Sequence, residues 1–232
     1  MIWQVPRMWE EGDVWILGGG PSVSVQFGIP DEVVQKVINK SSPPSIFSPY
    51  MHLLHNKHVI GINVAYLIGN WIDIVFFGDV GFFLNHQQGL ADFPGLKVTC
   101  HPRGDRYDWI KYLAKDTSHT KGISDNPRMV SWNGNSGAAA ISLAVHTGAK
   151  RIILLGFDMK LNGSNMQHWH NLYNKGERLN KKKLPFERHL RGFSAIAADA
   201  KRMGVEILNA SPTSEIKEFP KYTVKELLID NT

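Results

Sequence analysis

The sequence predicts an α/β fold: a single three-layer domain over residues 1–232, with a mostly parallel sheet covered on both faces. Three observations predict it. Short apolar runs alternate with stretches of helical character along the chain. The runs are continuous rather than alternating, as strands buried on both faces must be. Several runs end abruptly in glycine or a polar residue, where an open parallel sheet places its ligand crevice.

The elements follow in order. Residues 14–17 form a first strand that runs straight into Gly18-Gly19-Gly20-Pro21-Ser22. Glycines there let the backbone take positive φ and approach a ligand closely. A helix after them would turn its free N–H groups to the same spot, a place for a nucleotide phosphate. The alternative is a tight strand-to-helix turn with no ligand. Residues 31–39 read as a helix with Asp31 and Glu32 at its acidic start. Residues 41–50 read as a loop, because their prolines remove donors and restrict their neighbours. Strands are expected at 59–63, at 72–77 ahead of Gly78-Asp79, at 96–100 and, briefly, at 129–131. Residues 136–147 form a small-residue helix and 151–158 a central strand apolar on both faces. A helix at 193–203 and a strand at 205–209 complete the pattern. The polar stretch 160–187 reads as an insertion, a lid over about residues 160–190 rather than a separate domain.

Composition sets limits. A chain of 232 residues with 43% hydrophobic content can bury a real core. No apolar stretch is long enough to cross a bilayer, and the first residues lack the order of a signal peptide. The single cysteine, Cys100, excludes an internal disulfide. These features point to the cytoplasm. The net charge of +5 suggests an acidic ligand, and the basic residues concentrate in the last third, around Arg178, Lys181-Lys182-Lys183, Arg188 and Arg191. That stretch reads as a solvated face or a basic lid over a phosphate-bearing substrate; a nucleic-acid groove is the weakest reading.

The strand ends carry the functional argument. Gly18, Gly19, Gly20, Pro21, Ser22, Asn63, Gly78, Asp79, Asn135, Ser136, Gly137 and Asp158 all fall at or just past them, and together they describe one polar crevice. Asn135 or Ser136 can cap the small-residue helix, whose free amides would then face phosphate or sugar oxygens. Asp158 can bind a ribose hydroxyl, position a histidine, hold a metal or cap a turn. Asp79 is equally open, and the two carboxylates together could hold Mg²⁺ through waters. No spacing marks a dedicated metal-ligand set. In His168-Trp169-His170 alternate side chains share a face, and either imidazole suits a general acid or base; a surface histidine pair with no role is the alternative, and a zinc site would need ligands that the neighbourhood does not offer. His189 is the reserve base. Tyr173 is placed to reach a phosphate.

These residues resemble a known group. Gly19-Gly20-Pro21-Ser22 resembles the Gly-x-Gly-Pro-Ser turn of bacterial lipo-oligosaccharide sialyltransferases. Asn63 followed by Tyr66 resembles that family's second-strand asparagine and aromatic, and the segment from Phe76 to Phe83 its Phe-Phe-Asn-Pro segment, with Asp79 near the family's asparagine. The Ser136-Gly137 helix, the strand ending at Asp158 and the run from Ile207 to Pro212 follow in the family's order. The same islands are similar to the hydroxymethylpterin pyrophosphokinase-like (MptE-like) proteins and to phage and prophage proteins that share the His-Trp segment. The resemblance implies a nucleotide-binding Rossmann-like fold, with Gly19, Gly20, Asn63 and Ser136 holding a nucleotide sugar and a histidine acting as base. It departs from the pattern at the lid histidine, which no residue here matches cleanly, and at the phosphate-binding tyrosine pair, for which Tyr173 stands alone.

The expected function is a nucleotide-dependent transferase, glycosyltransferase-like, with a nucleotide or nucleotide sugar as ligand. The alternatives are a non-catalytic nucleotide-binding or phage-associated protein and a Mg²⁺-dependent pyrophosphokinase. Self-association is left open.

Overall fold

The computed structural model describes residues 1–173 and 184–229. Arg178 and Lys181-Lys182-Lys183 lie outside the described residues. In chain order the structure has β1 (Asp13–Leu17), α1 (Ser22–Gln26), α2 (Asp31–Ile38), β2 (His58–Ile62), β3 (Ile74–Phe77), α3 (Val80–Asp92), β4 (Leu96–Thr99), β5 (Ile110–Tyr112), β6 (Ala114–Lys115), β7 (Met129–Val130), α4 (Ser136–His146), β8 (Arg151–Leu155), α5 (Phe186–Leu190), α6 (Phe193–Met203), β9 (Glu206–Asn209) and α7 (Val224–Ile229).

Seven strands form the main sheet in the order β5-β4-β3-β2-β1-β8-β9, and β6 pairs with β7 apart from it. Every pair of these strands is parallel. From β1 the chain winds outward to β5, then returns to the other side of β1 as β8. The order therefore reverses between β1 and β8, and a crevice opens there beyond the carboxyl ends of the strands. The α/β expectation is met.

Both faces of the sheet are covered. Val14, Ile16, Ile60, Ile74 and Phe76 point into one core with α4 and α6. Trp15, Leu17, Val59, Val75 and Phe77 point into the other, with α2, α7 and Trp169. This is why the strands read as unbroken apolar runs. Helix α4 is buried along nearly its whole length, and Ala138, Ala139 and Ala140 let it lie close to the sheet.

Three expectations are corrected. The stretch read as a loop at 41–50 contains the start of a 3-10 segment, Pro44–Leu54, whose Phe47, Met51 and Leu54 are fully buried. A proline at its start removes no bond, because the first N–H groups of a helix have no partner anyway. Strand β8 stops at Leu155 rather than 158, since Gly156 turns the chain with φ of 75°. Asp158 thus sits in the turn beyond the strand. Helix α1 has only five residues, too few to project a useful dipole from the glycine turn.

Candidate functional site

A cavity of about 310 Å³ opens at the reversal point. Gly18, Gly19 and Gly20 line it from the end of β1, Asn63 from the end of β2 and Asp79 from the end of β3. Asn135, Ser136 and Gly137 line it from the start of α4. Asp158 and His168 close one side, Tyr173, Arg188 and His189 another. The glycine turn and the α4 start, far apart in sequence, therefore share one space. Pro21, Ser22, Gly78 and His170 stand behind this wall.

The glycine turn is shaped first by its neighbours in the protein. Gly18 N donates to Leu155 O at 2.8 Å and Gly20 N to Gly156 O at 2.9 Å. The turn thus continues the β1–β8 pairing, and those two amides are not offered to a ligand as the sequence reading supposed. Gly19 keeps a free amide among the described residues. A Cβ on Gly20 would fall 1.7 Å from Asp158 Oδ2 and 2.6 Å from Gly156 O; one on Gly19 would fall 2.8 Å from His168 Nδ1. Glycine is required at both because other protein atoms already occupy the space.

Asp158 holds this turn in place. Its Oδ2 accepts from Ser22 Oγ at 2.9 Å and more distantly from Ser22 N at 3.4 Å. Ser22 Oγ also lies 2.9 Å from Ser211 Oγ, which accepts from Gly156 N and Phe157 N. Burial raises the Asp158 pKa, with the Ser22 hydrogen bonds opposing it. Of the roles left open for Asp158, the turn-capping one is visible in these contacts. Asp79 stands before α3 without a capping bond. One Asp158 oxygen is committed to Ser22, and no group of three or more His, Cys, Asp or Glu side chains gathers among the described residues.

At the start of α4 the Asn135 side chain accepts from Ala138 N at 2.8 Å, so Asn135 is the cap. Ser136 is thereby free for something else. Its Oγ is buried and has no partner among the described residues. Asn63 Oδ1 and His168 Nδ1 are in the same condition, and all three residues line the cavity. Buried polar atoms are rarely left so; three around one space mark where a polar ligand or water belongs. Asn63 also carries a positive φ of 52°, which sets it apart from the strand it follows.

The two histidines share a face, as their spacing suggested. Their rings stack in parallel, 5.1 Å apart and 4° off plane, and Tyr173 meets both edge-on. Only His168 reaches the cavity. Burial holds the His168 imidazole down at about 4, against the opposing backbone of Gly19. His170 is pushed well below the ordinary histidine value by burial and by His168, and its Nδ1 accepts from Leu172 N. His189, the reserve candidate, is also in the lining and is held at about 4 by burial and by Arg188.

Several lining residues escaped the sequence reading as site residues, Arg188 and Trp132 among them. Arg188 sits in the short helix α5 beside His189, and nothing local distinguished it from its basic neighbours. Trp132 packs flat on Gly78, where a Cβ would fall 2.2 Å from its ring, while Lys115 Nζ lies 3.9 Å from a ring centroid of the same indole. Gly78 therefore makes room for a wall of the cavity.

No protein-family model matches the chain, and no curated protein matches it in sequence. Solved structures do share its architecture, and those are glycosyltransferases. The MAf glycosyltransferase from Magnetospirillum magneticum AMB-1 superimposes with a TM-score of 0.59 at 12% identity, over 97% of this chain. The chain spans only 35% of that protein's length. The sialyltransferase CstII from Campylobacter jejuni, in complex with the substrate analogue CMP-3FNeuAc, superimposes with a TM-score of 0.52 at 16% identity, over 91% of this chain and 86% of its own. At such identities the likeness is one of fold. No helix among the described residues is long and apolar enough to cross a membrane.

Proposed function

We propose that the chain is a nucleotide-dependent transferase of the glycosyltransferase kind. The observation that carries this reading is the cavity itself. It joins the end of β1, the start of α4 and a neutral imidazole, and three of its polar atoms lack partners. A nucleotide sugar would lie with its phosphate at the α4 start, where the first N–H groups of the helix have no carbonyl to bond. Ser136 Oγ and the Asn63 side chain would complete the polar contacts. The fold shared with CstII, whose complex holds a CMP-sugar analogue, supports a nucleotide sugar over a simple nucleotide.

His168 is the base in this reading. It takes the proton from an acceptor hydroxyl, and the oxygen attacks the anomeric carbon. The bond from that carbon to the phosphate oxygen breaks, and the nucleotide leaves with the electron pair. Amides and hydroxyl at the α4 start stabilise the charge that develops on the leaving phosphate. A low imidazole pKa keeps His168 deprotonated at neutral pH and ready to accept a proton.

The test is turnover with a panel of nucleotide sugars, following released nucleotide. The wild type releases nucleotide with at least one donor. His168→Ala lowers that rate by about 10²–10⁴-fold while nucleotide affinity is kept. Tight binding with no turnover, or turnover indifferent to His168, assigns the cavity to a non-catalytic nucleotide-binding protein instead.

A further inference from the structure

A second cavity of about 510 Å³ lies on the far side of the glycine turn, between α1, α2 and the segment after Asp158. Its size is that of an ordinary small-ligand site. Asp158 lines both cavities and forms part of the partition between them. The partition is rigid on its other flank as well. Trp169 donates from its indole to Gly18 O at 3.1 Å and from its backbone to Gly19 O at 2.9 Å.

The chemistry of this second space differs from the first. Its floor is apolar, from buried Val34 and Trp169 with half-buried Met166. Val25 stands at its edge and is 74% exposed, an unusual degree for an aliphatic side chain. The rim is polar and hydrogen-bonding: Gln35, Thr213 and Asn162, with Asp31 and Lys160 beside them. Asn162 uses its oxygen on the Ser164 and Met166 amides, which leaves its NH₂ group to donate. Charge does not favour an anion. The one lining cation, Lys160, lies 3.7 Å from Glu215, while Asp31 and Asp158 both present carboxylates.

We propose that this cavity is a binding site for a neutral saccharide. A sugar offers apolar C–H faces to a floor of Val34 and Met166 and a ring of hydroxyls to a rim of amides and hydroxyls. The exposed Asp31 carboxylate can accept from two adjacent sugar hydroxyls at once. A phosphate finds no uncompensated cation there, and a wholly apolar ligand would strand the rim groups without partners. The site is separate from the nucleotide cavity and does not rest on the reading proposed for it. It is nonetheless coupled to that cavity, because an occupant would touch Asp158, which clamps the Gly20–Ser22 turn.

The test is saturation-transfer NMR on the full chain, with methyl glucoside, methyl galactoside, lactose and maltose as probes at millimolar concentration. At least one probe receives saturation. Asp31→Asn and Gln35→Ala, both on the exposed side of α2, each weaken that probe's binding by about tenfold, the loss of one charge-assisted or ordinary hydrogen bond. Inorganic phosphate does not compete. Nucleotide affinity, measured in parallel, is unchanged by both variants, so failure of the nucleotide reading is seen separately. Saturation of none of the four sugars overturns the proposal, and so does saturation that both variants leave intact or that phosphate abolishes.

Discussion

His168 Nδ1 and Ser136 Oγ are buried at the same cavity without a hydrogen-bond partner among the described residues, and each residue predicts its own outcome. The low pKa of His168 sets the acid side of activity. An imidazole held at about 4 is a competent base down to that pH, so kcat/KM should fall only as pH drops through about 4, where an ordinary histidine would lose activity near 6.5. A pH–rate profile checks this. An acid limb near 6.5 would move the role to another group. Ser136→Ala removes a hydroxyl that caps nothing, since Asn135 does the capping. Its urea midpoint should match wild type, while nucleotide affinity weakens several-fold, one hydrogen bond's worth. The glycines behave oppositely. Gly20→Ala drives a methyl into Asp158 and Gly156, and should cost about 1–3 kcal/mol by overpacking, seen as a lower denaturation midpoint.

At the scale of elements, α4 links fold and site. Its alanines pack it on β1, β2 and β3, and its capped start borders the cavity. Asn135→Ala should lower stability by about 0.5–2 kcal/mol and weaken ligand binding too, because the same turn presents Ser136; equilibrium unfolding and calorimetric titration read the two effects. This helix was legible because small residues after an Asn-Ser pair follow a simple rule. The same holds for α2 and α6, whose periodicity and ends are plain. Helix α3 was not read as a helix: Phe82 and Phe83 follow β3 so closely that apolar character runs across the boundary. The 3-10 segment at 44–54 was hidden by prolines that normally signal a loop. The strand ends that name most of the cavity could be read locally. Arg188 and Trp132 could not, since each enters through long-range packing. The use of the Gly18 and Gly20 amides by Leu155 and Gly156 was equally invisible, for bonds across 137 and 136 positions leave no local trace.

The whole molecule carries several imidazoles whose pKa values burial depresses: His168 and His189 at about 4, with His86, His146 and His170 also lowered. In the unfolded chain each would titrate near 6.5. Between about 6.5 and about 4 the unfolded state therefore binds more protons than the folded state, and stability rises with pH across that window. The urea midpoint should be highest above 6.5 and fall progressively toward pH 4. A midpoint that stayed flat there would mean that the imidazoles are hydrated and that the cavity is more open than the structure shows.

The whole architecture points at one space, where a sheet that reverses its winding between β1 and β8 brings the glycine turn against the start of α4. Calorimetric titration of the full chain with nucleoside monophosphates, nucleoside diphosphates and their sugars tests that space most directly. We expect at least one to bind saturably, one per chain, and to lose affinity in Ser136→Ala. Absence of saturable binding by every member of the panel, or binding that Ser136→Ala and a cavity-filling Gly137→Trp both leave untouched, would contradict the account.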